Sequence, residues 1–247
     1  MPPTIIVTPG SASSSSSSSV NLLLGMQACG LFLVFPGTWI AYVAYANSLP
    51  HWYEIPVITD LFRDWPVSGS LTFGLGTTLI CSGLTGAVVL RATVAENLVG
   101  RKFPWRRLAC IMVLAYPSVW LVISTSCTGC SDLYQWMHKV AALVFTSLVL
   151  YALTMCLDVL HNICSQVMDT HAQINAEALL LIGKWFIVPV SFLSILGCLI
   201  SVITDVYMKK LLAVSELVFL TASGSGYAVV VYIYWTLEWG YREHVHT

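Results

Sequence analysis

Six long apolar runs, each about 20 residues and almost free of charge, constrain this chain more than any other feature of its sequence. A hydrocarbon core of roughly 30 Å needs about 20 residues of helix at 1.5 Å per residue, which is the length of these runs. They fall at about 21–46, 68–90, 108–126, 139–160, 179–203 and 214–238. No water satisfies a backbone at that depth, so each run must close its own hydrogen bonds as a helix. The last run is bracketed by Glu216 and Glu238, roughly 33 Å apart on a helix, with no charge between them. Of 247 residues, 57% are apolar and 9% charged, against about a quarter charged in soluble domains. The expected fold class is all-α, a polytopic membrane protein built as a six-helix transmembrane bundle.

The membrane domain is expected over 20–240. Before it, residues 1–19 are rich in Pro and Ser, with seven consecutive serines from Ser13 to Ser19, and read as a disordered tail. Residues 241–247 read as a second short tail. No charged n-region with a cleavage site opens the chain, so the first span is expected to serve as its own targeting signal. Arg91, Arg101, Lys102, Arg106 and Arg107 make the 91–107 connection the densest basic loop. By the positive-inside rule that loop, 161–178 and both termini are expected in the cytosol, and 47–67, 127–138 and 204–213 outside it. The loop's Arg101, Lys102, Arg106 and Arg107 also offer a surface to a membrane or cytosolic protein partner. No basic tract or motif suggests nucleic acid.

Between the first two spans lies a short aromatic, Pro-rich polar stretch. It includes Trp52, Tyr53, Pro56, Asp60, Phe62, Asp64, Trp65 and Pro66, and is expected to form a lid at one membrane face, its rings suited to the interface. The same face offers Glu54, Asp132, His138, Asp205 and Glu216. His138 is expected to open the fourth span, and Glu216 to sit in the first turn of the sixth. Ionisable groups at membrane depth are costly and tend to face the bundle interior, which makes them functional candidates. A solvated or helix-capping role is the alternative, since a carboxylate is favoured near a helix N-terminus.

Chemistry of other kinds is less well signalled. No G-x-S-x-G, H-E-x-x-H or Gly-rich phosphate loop accompanies these groups, so no catalytic residue is assigned. Of eight cysteines only Cys127 and Cys130 lie together in a loop. Without a second ligand pair they do not read as a zinc site, and a disulfide or two free thiols both remain open. No metal or other cofactor is expected. Asp158 and His161, three apart, read as a solvated helix end. A transporter is the weaker class, because span centres look uncharged and Lys184 lies close enough to its end to snorkel. Small residues in spans two and six, such as Gly74, Gly76, Gly83 and 222–226, point to close helix packing within the bundle, with homodimerisation through these faces as the alternative.

The chain resembles the Frag/DRAM family of six-span membrane proteins, which includes the damage-regulated autophagy modulators. Trp39-Ile40-Ala41-Tyr42-Val43-Ala44 and then Pro56-Val57-Ile58-Thr59-Asp60 are similar to that family's first span and following loop. His138-Lys139-Val140-Ala141 with Tyr151 downstream, Pro189, and Ser215-Glu216-Leu217 are similar to its later segments. The family's Gly is Ala141 here, its Trp is Leu217, and the acid expected after Pro66 is missing. The resemblance implies a non-enzymatic regulator in lysosomal, other endomembrane or plasma membranes, linked to autophagy or to phosphoinositide and lipid organisation. Relatives that remodel the lipid of GPI anchors supply a lipid-acting alternative. Asp60, His138 and Glu216 both match family positions and fall on the same non-cytosolic face, so they are expected to line a lumenal polar pocket, with Pro56 and Tyr151 as further matched positions, that binds or organises a lipid headgroup or locks the helices together.

Overall fold

A computed structural model describes residues 14–50, 55–84, 105–126, 132–167, 170–203 and 209–246. Six helices long and apolar enough to cross a membrane organise it: α1 (Asn21–Ser48), α3 (Pro66–Leu84), α4 (Arg106–Ser124), α5 (Asp132–Cys164), α6 (Ile174–Ser201) and α7 (Lys209–Leu237). A short helix, α2 (Ile58–Asp64), crosses the end of the bundle between α1 and α3. No strand occurs among the described residues. The chain is thus an all-helical bundle whose six apolar helices fit an integral membrane protein.

Several boundaries differ from the sequence expectation, and always because helices run past the apolar core. The serine run is helical from Ser14, as an extension of α1; once an apolar span has nucleated a helix, each further residue adds a hydrogen bond at little cost. Helix α5 begins at Asp132, so His138 lies nearly two turns inside it and does not open it. The helix of α7 starts at Lys209, which puts Glu216 two turns in, and it continues to His246. A carboxylate begins α5 and two ammonium stems begin α7; both tolerate the water interface while the backbone stays helical.

Small residues set the inner seams. A side chain at Gly30 would meet the Gly76 carbonyl and Ile80, and one at Gly76 would meet Leu33 and Val34, so α1 and α3 touch backbone to backbone. Gly83 makes room for the fully buried Gln27, and Gly224 on α7 for the ring of Phe35. This bears out packing within the bundle. Without a hydrophobic force between helices in lipid, such approaches gain dispersion contacts instead. Three π-helical turns lie in these spans: Leu33–Gly37 around Pro36, Ser70–Leu75, and Gly183–Ile187 just before Pro189. A proline removes one ladder bond, and a local π turn re-registers the remainder. Pro117 lies within α4, which stays helical through it.

Large apolar side chains cover the outside, among them Trp185 (79% exposed), Phe32, Ile40 and Phe186. In water such a belt would aggregate, whereas in lipid it is the expected surface.

Candidate functional site

The site grows from a helix that lacks its own cap. The first amides of any helix have no partner inside it, and a Ser, Thr, Asp or Asn before the first turn commonly supplies the oxygen. At α2 that position is Val57, whose side chain has no oxygen to give. Two carboxylates take over, one from the first turn of α2 itself and one from α7. Asp60, three residues on, accepts the Val57 amide at 3.3 Å. Glu216, 158 residues away on α7, accepts the Ile58 amide through Oε2 at 2.7 Å. The start of the lid is therefore bonded directly to the sixth span.

Helix α1 holds the two ends of the same segment. The Tyr42 hydroxyl donates to the Pro56 carbonyl at 2.7 Å, and the Tyr45 hydroxyl donates to Asp64 Oδ2 at 2.6 Å. Both tyrosines are buried and stand three apart, on one face of the last turns of α1. Arg63 links the two aspartates: Nη1 lies 2.8 Å from Asp60 Oδ1, while Nε and Nη2 bond both oxygens of Asp64 at 2.7 and 3.0 Å. The Arg63 guanidinium, followed by the Tyr45 hydroxyl, holds the Asp64 carboxyl down at about 2. The same pairing pushes the Arg63 guanidinium up. Lys209, at the start of α7, stands 3.9 Å from Asp60 Oδ2.

Below these polar bonds the lid is greasy. Val57, Ile58, Leu61 and Phe62 are buried, Leu61 completely. Phe62 packs on Phe73 with ring centroids 5.2 Å apart, and Phe73 meets Phe145 edge-on at 5.5 Å. A side chain at Gly69 would strike Phe62, so that glycine lets α3 pass close beneath the lid.

Of the residues singled out from the sequence, Asp60, Glu216 and Pro56 come together here. His138 does not join them. Its Nδ1 lies 3.0 Å from the Val122 carbonyl and 3.3 Å from the hydroxyls of Thr125 and Ser126, so it closes the end of α4. The reason is the early start of α5, which sets His138 beside the last turn of α4. Tyr151 is 52% exposed on α5 and does not line the apolar groove between α1, α6 and α7. Cys127, Cys130, Arg101 and Lys102 lie outside the described residues, as do Trp52, Tyr53, Glu54 and Asp205; Arg106 and Arg107 are exposed at the start of α4. Among the described residues no group of three His, Cys, Asp or Glu side chains is placed to hold a metal ion.

Sequence reasoning missed the partners: Tyr42, Tyr45, Arg63 and Lys209. Two tyrosines three apart at a span end, and a helix start with Val where an oxygen is usual, were the available signals.

Next to the lid, α1, α6 and α7 enclose an apolar groove of about 330 Å³. Trp39 and Leu217 wall its upper part and also pack in the core beneath the lid. The Trp39 indole donates to Thr221 Oγ1 at 3.3 Å, and Phe186, Val190 and Ser225 continue the lining. Trp39 also meets Tyr42 edge-on at 5.9 Å, which puts groove, tyrosine and lid in one chain of contacts. At the opposite end of the bundle, Lys184 Nζ lies 2.6 Å from Asp158 Oδ1, joining α6 to α5. Lys184 is thus paired with a carboxylate, and Asp158 is not simply a solvated helix end.

No protein-family model matches this chain, and neither does any characterised protein or solved structure.

Proposed function

We propose that this protein is a non-enzymatic membrane regulator that holds a lipid chain in the groove beside its lid. One observation carries the reading: an apolar groove of about 330 Å³ between three apolar spans shares Trp39 and Leu217 with the core that seats the lid. Ligand sites are characteristically apolar clefts of about this size with few polar groups, and here the polar element is the Trp39–Thr221 pair. The carboxylates support a structural role, since Asp60, Asp64 and Glu216 are all engaged by lid amides, Arg63 or Tyr45. The Frag/DRAM-like segments support placing that regulator in a lysosomal, other endomembrane or plasma membrane, with a role in autophagy or lipid organisation. The basic loop after α3 supports a lid that faces the lumen or exterior, with both termini cytosolic.

A phospholipid bearing a photoactivatable group on its acyl chain tests the groove in reconstituted vesicles. Labelling should concentrate on Phe186, Val190 and Thr221, and Val218→Trp, at an open point of the wall, should remove it. Labelling spread evenly over all six spans would end the proposal. Glycosylation acceptors inserted next to Trp65 test the orientation and should be modified.

A second reading has its own observation. Lys184 and Asp158 form a charged pair inside two spans, and such pairs mark ion or substrate pathways in carriers. An ion flux in proteoliposomes that disappears in Lys184→Met would favour it. GPI-lipid remodelling, the remaining alternative, would show as turnover of a labelled GPI lipid by the purified protein.

A further inference from the structure

We infer that the groove takes an anionic phospholipid, with one acyl chain along α7 and the phosphate on Lys210; this rests on the lipid reading above.

The inference begins with the helical register. Lys210, Val214, Leu217 and Thr221 follow one another at spacings of four, three and four, so they line one face of α7. The lower part of that stripe is the groove wall, through Leu217 and Thr221. Lys210 heads it, roughly 16 Å from Thr221 along the helix axis. The stripe is open to the surroundings between the two: Val214 is 44% exposed and Val218 37%. A chain lying in the groove would therefore run up an uninterrupted apolar track and end at an ammonium.

Charge then selects the headgroup. Two lysines start α7, and they differ in what they face. Lys209 shares its side of the helix with Glu216, seven residues on, and stands 3.9 Å from Asp60. Lys210 stands in register with the groove wall, is exposed, and has no ion-pair partner among the described residues. Arg63 on Asp60 and Asp64 and Lys209 on Asp60 are thus spent on the lid, while Lys210 has no such carboxylate among the described residues and can meet a ligand. An ammonium at the end of an apolar track, at the level where headgroups lie, matches a phosphate whose charge no choline or ethanolamine balances. Snorkelling of the lysine stem along the track brings the two together.

The experiment uses the full chain, purified and offered equal amounts of dioleoyl phosphatidylglycerol and dioleoyl phosphatidylcholine, with retained lipid read by native mass spectrometry. One lipid should stay bound, with phosphatidylglycerol preferred about five-fold, the effect of one basic side chain near a lipid surface. Lys210→Ala should bring the preference to about one, Lys210→Arg should keep it, and Lys209→Ala should leave it in place. Val218→Trp should lower retention of both lipids; Ser225→Trp provides the same obstruction should the first variant elute poorly. Equal retention by the wild type, or a preference that survives Lys210→Ala, overturns the headgroup assignment. If that retention still falls in Val218→Trp, the groove reading stands alone; if the wild type retains no lipid, both fall.

Discussion

The two ends of the bundle each carry charge, and they use it differently. At the lid end, Glu216 and Asp60 accept backbone amides of a helix whose N-cap residue has no side-chain oxygen, and Tyr42, Tyr45 and Arg63 complete the set. At the far end, Lys184 and Asp158 only neutralise each other. The first network joins parts of the chain 158 residues apart; the second joins consecutive helices. Burial separates them as well, with the Asp60 side chain 12% exposed and that of Asp158 58%. A buried acceptor lost leaves its donor unanswered, whereas an exposed pair removed whole leaves no orphan behind. Polar groups in a membrane bundle therefore matter according to what they leave behind.

The largest effect should come from Glu216. Glu216→Ala leaves the Ile58 amide without an acceptor and should cost about 1–3 kcal/mol of stability. Glu216→Gln keeps an oxygen in place and should cost clearly less. Unfolding followed by size-exclusion chromatography across a temperature series would decide, and equal losses would mean that the carboxylate does not hold the lid.

A smaller effect should appear in acid. Asp64 titrates at about 2 in the folded protein against an ordinary 3.8, so the unfolded chain binds its proton first as pH falls. The stability that Asp64 adds is complete above pH 3.8 and lost as pH falls through about 2. Because Asp64 is about a third exposed, water screens the pair and the loss should stay within about 1 kcal/mol. The stability difference between wild type and Tyr45→Phe should shrink over that window; a constant difference would remove Asp64 from the clasp.

The least effect is expected at the far end. Replacing both partners, as Lys184→Met with Asp158→Leu, should change stability by less than about 1 kcal/mol and in either direction. If this double variant lost as much as Glu216→Ala, the contrast between the two ends would be wrong.

Much of the fold was legible because it follows from local rules. A run of about 20 apolar residues can only be a buried helix in lipid, whatever its neighbours. Span ends were harder, since helices α5 and α7 extend into the interface on residues that tolerate water, and hydropathy is blind to that extension. The site was half legible. Asp60 and Glu216 were evident as charges beside apolar runs, but the place of His138 depended on where α5 begins. Tyr42 and Tyr45 were not marked as site residues, because their hydroxyl partners lie in another element.

Sequence by itself determined the number of spans, their helical nature, the small-residue seams and the presence of polar groups at the ends of the apolar runs. Each of these is set by hydropathy, backbone satisfaction or side-chain size over a short window. Tertiary structure alone decided that Glu216 answers the Ile58 amide, that His138 serves α4 instead, and that α1, α6 and α7 leave a groove beside the lid. Those facts depend on helix rotation and register, to which a hydrophobic pattern exposed to lipid on every side is nearly indifferent.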